Sequence, residues 1–237
     1  MISPSANAKG SDYVNGTVTA IAELIRNTHL KPGDKLPAEA VLSKNLQVSR
    51  TVVREALRSL AALQLIELGA GKRPTVAELD DNAFALVFEH GVVTDQITIP
   101  QIYDVRRTIE ARTAALACLR RSDAEARIII EHARAMARDF SDPNSVMEHD
   151  LAFHLAIAHA SRNPVFALII GAFQGITRQT WPVGWKSRGS DDERRAMNAL
   201  HFELAGAIAS GNAVHAARLM DQHFDISLKA LNNAGIA

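Results

Sequence analysis

The sequence predicts a mainly α-helical protein in two parts, and three observations carry that reading. Ala38 to Leu68 holds two short helical patterns separated by a turn and followed by a strand-like end. Beyond "AELDDN" the texture changes to long segments of helical periodicity with almost no β signal. Asp142-Pro143 and Asn163-Pro164 then punctuate that second region, each step stopping one helix and preparing the next. The expected organisation is a disordered arm over residues 1–12, a small domain over 13–78 and an all-helical bundle over 79–237.

Composition narrows the function classes. The 237 residues carry 26 basic and 26 acidic side chains, so no global field favours nucleic acid and any such case must be local. A single cysteine, Cys118, excludes an intrachain disulfide and fits a reducing compartment. The opening "MISPSANAKGSDY" lacks the apolar core of a signal peptide. The longest apolar run, "VFALIIGAF", falls far short of the roughly 20 residues a membrane span needs. A cytoplasmic protein with no membrane partner is the expectation.

Within the first domain, a short helix over 38–45 precedes a turn near Gln47. Ser49 then caps a longer helix ending near Leu63. Val52, Val53, Ala56, Leu57 and Leu60 form its inner face, while Arg50, Arg54 and Arg58 recur every fourth residue on another. "LIELGAGKRPTVAE" reads as strand, turn, strand with Lys72 and Arg73 at the tip. Together these elements make a winged helix-turn-helix. Tyr13 to Glu78 holds nine Lys/Arg against six Asp/Glu, a mildly basic patch. The arginine row suits a helix entering a DNA groove, or equally a solvated charged face.

The second region parses into helices over 81–90, 99–121, 123–139, 144–161, 164–180, 191–210 and 212–233, a bundle of six or seven. "SDAE" from Ser122 has capping-box spacing, and "SGN" from Ser210 is a tight turn between helices. On the 144–161 helix Asp150 and His154 sit in the middle of the apolar face, flanked by Val146, Phe153 and Ile157 on one side and Met147, Leu151 and Ala158 on the other. His149 and His159 fall outside that face, where solvent is expected. His201 shares a face with Met197, Leu204 and Ile208, and His223 lies among Leu219, Met220, Ile226 and Ala230. Ten residues before Gly211 and twelve after it, these two imidazoles reach nearly the same level of an antiparallel hairpin.

One inward histidine is ordinarily a satisfied core residue. Three of them with an inward carboxylate suit a divalent cation, zinc, nickel or another first-row ion, because an unpaired buried carboxylate is costly. A structural polar network without metal is the alternative, and a metal-dependent hydrolase or lyase is another. On the 99–121 helix, Ile102, Val105, Ile109, Leu116 and Leu119 form the expected inner stripe with Arg106 at its edge. Arg106 is placed either to pair with Glu110 or to grip a ligand carboxylate beside the metal.

Two motifs carry a resemblance. "KPGDKLPAEAVLSKNLQVSRTVVREAL" closely resembles the DNA-binding domain of GntR-family bacterial regulators, through Pro32-Gly33-Asp34, Leu36-Pro37, Glu39, Val48-Ser49-Arg50 and Arg54-Glu55-Ala56-Leu57. It implies that Arg50 and Arg54 reach bases and phosphates, that Ser49 and Thr51 contact phosphate, and that Lys72 and Arg73 present the wing. Ala40 stands where many members carry an arginine, and Gln64 replaces the usual glycine before the first wing strand.

"RRTIE" from Arg106, "DLAFH" from Asp150 and the two later histidines resemble the FCD ligand-binding domain of the FadR subgroup. That likeness implies a divalent metal held by Asp150, His154, His201 and His223, with a small organic acid effector completing its shell beside Arg106. It further implies a homodimeric regulator of operator DNA, a repressor relieved by effector, and no enzymatic activity.

Overall fold

In this computed structural model, which describes residues 6–236, contacts divide the chain between Ala83 and Phe84 into two units. Each unit has its own hydrophobic core. The first contains α1 (Ala6–Asn27), α2 (Glu39–Leu46), α3 (Arg50–Ala62), β1 (Ile66–Glu67) and β2 (Thr75–Val76). Ile21, Leu36, Leu42, Val53, Ala56, Leu57, Leu60 and Ile66 make its core. On α3 the buried positions 53, 56, 57 and 60 follow helical spacing, which turns Arg50, Arg54 and Arg58 outward.

The turn between α2 and α3 is built by two side chains. Gln47 takes a left-handed conformation (φ 55°), and the Ser43 hydroxyl donates to the Val48 carbonyl at 2.6 Å. Ser49 caps α3 by accepting from the Val52 amide at 3.3 Å. The wing is minimal: β1 and β2 pair antiparallel with Ile66 opposite Val76 and Glu67 opposite Thr75.

The expected arm over residues 1–12 differs from what is found. Residues 6–12 are the first turns of α1, and residues 1–5 lie outside the described residues. The physical reason is cooperativity: once the later turns of α1 pack Ile21 into the core, extending the helix backwards costs no new nucleation.

The second unit holds α4 (Asn82–Val93), whose first residues straddle the division, then α5 (Ile99–Arg120), α6 (Asp123–Arg138), α7 (Pro143–Ala160), α8 (Pro164–Ala172), α9 (Gln174–Ser187), α10 (Asp191–Ala209) and α11 (Ala213–Asn233). Full capping boxes start α5 at Thr98 and α6 at Ser122. Asp142, Asn163, Ser190 and Asn212 cap α7, α8, α10 and α11. α5 packs on α11 and α7, and α10 packs on α6 and α11. Small residues such as Ala114, Ala117, Ala133, Ala160, Ala205 and Ala216 fill this interior, allowing the helices to approach closely.

Two local features depart from the expected helices. The predicted helix over 164–180 is two, broken at Phe173 (φ −89°, ψ −5°), whose buried ring packs 4.7 Å from Phe88. Residues 181–187, expected as loop, continue α9 despite Pro182. Trp181 and Trp185 stack one turn apart at 4.9 Å across that proline, offsetting part of its cost.

The inner face of α5 is also rotated from its expected position. Val105 and Leu119 are exposed, while Tyr103, Arg106, Glu110, Thr113, Ala114 and Ala117 are buried. A charge pair on the buried face moved the boundary.

Gln64 takes the left-handed region (φ 56°) that a glycine would occupy without strain. Gln64→Gly should therefore be neutral to stabilising by up to about 1 kcal/mol, and the β-branched Gln64→Val destabilising. Urea unfolding measures both. A lower midpoint for the glycine variant would show that the Gln64 side chain, not its backbone, matters to the turn.

Candidate functional site

Ser49, Arg50, Thr51 and Arg54 are all exposed along the first turns of α3. Arg54 is held by Glu39 of α2, Nε to Oε2 at 2.7 Å, and Arg58 by Glu55 at 2.6 Å. Arg50 has no ion-pair or side-chain hydrogen-bond partner among the described residues and is free to reach outward. Lys72 is exposed in the wing turn. Arg73 is placed differently from the expectation of a tip contact: its guanidinium folds back, and Nε donates to the Leu36 carbonyl at 2.8 Å. The reason is local, since that main-chain oxygen borders the base of the wing and a fork of donors satisfies it. Arg73 braces the wing, leaving Lys72 at its turn.

In the bundle, α7 supplies Asp150 and His154 one turn apart, α10 supplies His201 and α11 supplies His223. One donor atom from each of the four lies within 4.8 Å of every other, and all four residues are buried. The ring centroids of His154, His201 and His223 are 4.6 to 5.9 Å apart. Asp150 Oδ1 lies 2.9 Å from His201 Nε2 and 3.9 Å from His154 Nε2. The closer contact is not aligned as a hydrogen bond, because His201 Nε2 has no partner by direction. Proximity without alignment is what donors gathered around a common point would show.

The hydrogen-bond inventory tests whether a cation fits. His154 Nε2, both ring nitrogens of His201 and His223 Nδ1 are buried without a partner among the described residues. Orphaned buried polar atoms are rare in folded proteins and costly. A divalent ion at the cluster would accept imidazole lone pairs and neutralise Asp150. Burial strongly favours the neutral form of His223, aided by the neighbouring His201 and His154, so its pKa falls well below 6.5. For Asp150 burial works upward, but His201 close by and the other two imidazoles win and hold the carboxyl well below its usual range. A neutral imidazole at His223 and an ionised carboxylate at Asp150 are the states a metal takes.

Behind His154 stands Glu110 of α5, fully buried. One carboxylate oxygen contacts His154 Nδ1, and the other accepts from Arg106 Nε at 2.7 Å. Glu110 therefore assigns the Nδ1 proton of His154 and turns Nε2 toward the cluster. Arg106 also donates to Thr177 Oγ1 at 2.8 Å, and its guanidinium lies 5.1 Å from the Phe224 ring centroid. Burial opposes the charges of both partners, yet Glu110 is held below its ordinary value, chiefly by Arg106 and then His154, and Arg106 is raised chiefly by Glu110. Sequence reasoning placed Glu110 as a partner for Arg106. It missed the link to His154, although position 110 lies one helical turn beyond Arg106 on the same face.

A cavity of ≈ 40 Å³ opens beside the cluster. Arg106, Asp150, His201 and His223 line it together with Thr177, Trp181, Trp185, Arg188 and Asn198. This exceeds the roughly 10–15 Å³ needed for one water centre. Arg188 and Met197 also line a groove of ≈ 270 Å³ on the outer surface, so these two side chains are common to cavity and groove. Trp181, Trp185 and Arg188 belong to the stretch read as loop, and no periodic signal in the sequence pointed to them.

Outside the cluster, His149 is half-buried rather than fully solvated. Its Nδ1 lies 3.2 Å from His132 Nδ1.

Comparison with known proteins gives the family. Residues 101–226 match the family model described as the FCD domain, and residues 15–76 match that of bacterial regulatory proteins of the gntR family. The chain belongs to the GntR family, with an FCD domain. Members of that family are DNA-binding transcriptional regulators rather than enzymes, which sets aside the hydrolase or lyase alternative. The GntR regulator described here is 29% identical over 204 residues to the HTH-type transcriptional regulator LutR of Bacillus subtilis, covering 84% of this chain and 92% of that protein. Over 156 residues it is 33% identical to the Glc operon transcriptional activator of Escherichia coli K12, covering 64% of this chain and 61% of that one. A solved GntR structure from Streptococcus agalactiae shares the fold, with a TM-score of 0.67 at 24% identity over 90% of this chain and 97% of that one.

Removing Glu110 from this regulator tests the support it gives. Glu110→Ala leaves Arg106 charged and His154 Nδ1 unpaired, and should cost about 3–5 kcal/mol in denaturant unfolding of metal-stripped protein. Because its folded pKa lies below the ordinary 4.5, Glu110 stabilises the fold above that pH and loses its contribution as pH falls through the folded value. The variant should accordingly lose less stability than wild type on acidification below about pH 4.5. Equal acid sensitivity in the two proteins would mean Glu110 is not the ionised hub.

Proposed function

We propose that this protein is a cytoplasmic, homodimeric repressor whose hold on operator DNA is released when a small carboxylate binds at a divalent metal in the FCD bundle. The observation that carries the reading is the set of unpartnered, buried imidazole nitrogens around Asp150. An ion would take one nitrogen from each imidazole, and a buried nitrogen left with neither ion nor water costs roughly 1–3 kcal/mol. Asp150, His154, His201 and His223 would hold the ion, zinc or nickel by the chemistry of three nitrogens and one oxygen. The bound ion supplies positive charge for a carboxylate. Arg106 lines the same cavity with Nε given to Glu110 and Nη1 to Thr177, and its remaining nitrogen is available to a second carboxylate oxygen.

For the domain over residues 13–78, Arg50 and Arg54 are the base- and phosphate-reading side chains, with Ser49 and Thr51 fixing register and Lys72 meeting phosphate. Arg73 acts through the wing it braces. A dimer places two such helices on a palindromic site. Repression is the simpler sign of control, since occupying an operator suffices for it, whereas activation needs a further contact with the transcription machinery. One relative bears the name of an activator, so a promoter fusion with and without effector is the direct measurement of sign.

Two experiments bear on the reading. Purified wild type should contain one divalent ion per chain, and chelation should lower its melting temperature. His201→Ala should lack the ion and respond little to chelator. Wild type free of stoichiometric metal would end the metal reading. For DNA, sites selected from a random-sequence pool should be bound at least about tenfold more weakly by Arg50→Ala/Arg54→Ala protein. Undiminished specific binding by that variant would remove α3 as the reading element.

A further inference from the structure

Arg106 and Arg188 line the same cavity in opposite circumstances. Arg106 has a carboxylate of its own in Glu110. Arg188, at the carboxy-terminal end of α9, has none: its Nη1 donates to the Gly184 carbonyl at 3.1 Å, and its Nε is buried without a partner among the described residues. The acidic side chains nearby are committed elsewhere. Asp150 faces the imidazoles, Glu193 accepts from the Gly189 amide at 2.9 Å, and Asp191 pairs with Arg194 at 2.7 Å. Burial disfavours the charged form of Arg188, with Asp150 the leading group in opposition.

The position of Arg188 is nevertheless fixed. Arg194 donates to the main-chain carbonyls of Trp185 at 3.0 Å and of Arg188 itself at 2.9 Å, and the Ser187 hydroxyl donates to the Ala230 carbonyl at 2.6 Å. Three hydrogen bonds thus pin the end of α9 to α10 and α11. A side chain held at a cavity wall with an unfilled donor has the character of a binding group rather than of a surface arginine.

Charge counting gives the ligand class. Arg106 and Glu110 cancel, and metal-bound imidazoles are neutral. A divalent ion, Asp150 and Arg188 then sum to two positive charges around one small cavity. A monocarboxylate would leave the half-buried guanidinium of Arg188 without an anionic partner at the cavity wall.

We infer that Arg188 is a second anion-binding arm of the cavity and that the effector is a short dicarboxylate, one carboxylate at the metal and Arg106, the other at Arg188. This rests on the carboxylate reading of the site and specifies it further. The stacked Trp181 and Trp185, with a cavity of ≈ 40 Å³, limit the ligand to a short chain.

Calorimetric titration of the full-length, zinc-loaded protein with succinate and with butyrate, which share chain length and differ by one carboxylate, tests the inference without any variant. Succinate should bind at least about tenfold more tightly, the worth of one charge-assisted hydrogen-bonded contact. Arg188→Met, which keeps the apolar stem, should bring succinate down to the butyrate level and leave butyrate unchanged. Butyrate binding as tightly as succinate would overturn the dicarboxylate assignment while leaving the metal–carboxylate reading standing. A preference for succinate that persists in Arg188→Met would overturn the role of Arg188. Absence of binding by malonate, succinate, malate, lactate and butyrate alike would overturn both.

Discussion

The second unit depends on one buried carboxylate. Glu110 is fully buried in the bundle, where an isolated charge would be untenable. It is tolerable because Arg106 neutralises it from one turn earlier on α5 and His154 meets it from α7. That arrangement ties the helix that lines the cavity to the helix that carries two of the candidate ligands. It also orders events: the imidazole is oriented before any ion arrives, so binding need not bear the entropy of sorting ring tautomers and rotamers. The alanine-rich packing around it follows from the same need, since larger side chains would hold α5, α7, α10 and α11 too far apart for their polar atoms to meet.

The first unit solves a different problem with similar means. A core of eight buried side chains must present a row of cations without burying any of them. Spacing on α3 does this, and Glu39 then holds Arg54 in place. Such an exposed pair contributes little stability. Its effect is on the orientation of the Arg54 side chain. The wing has two residues in each strand, too few to stand alone, and relies on Arg73 and on the Leu36 amide donating to Pro74 at 2.8 Å.

Much of this was legible in the residues because helices announce themselves by period and by caps. Asp150, His154, His201 and His223 could be set on buried faces from spacing alone, and the turn at Gly211 fixed the relative height of the last two. What escaped the sequence depended on tertiary context. Arg106 looked like the edge of an apolar stripe because periodicity scores a charged side chain as outward, and only the Glu110 carboxylate, itself met by His154 across the bundle, makes it inward. Arg73 looked like a tip residue because nothing local reveals that the Leu36 carbonyl lies within reach. The 181–187 stretch read as loop because Pro182 and Gly184 are helix breakers in isolation, whereas stacked indoles and the pinning by Arg194 hold it helical.

The sharing of Arg188 and Met197 between cavity and surface groove has a kinetic meaning for the proposed ligand. Both side chains face the cavity on one side and the surface groove on the other. On the proposed reading, a ligand entering from the groove passes these two side chains and, once inside, meets the same guanidinium from the cavity side. Entry and retention are then governed by one side chain, whose rotamer changes are fast compared with the parting of packed helices. Residence time would be set by how firmly the occupant engages Arg188, so that affinity would vary through departure rather than arrival.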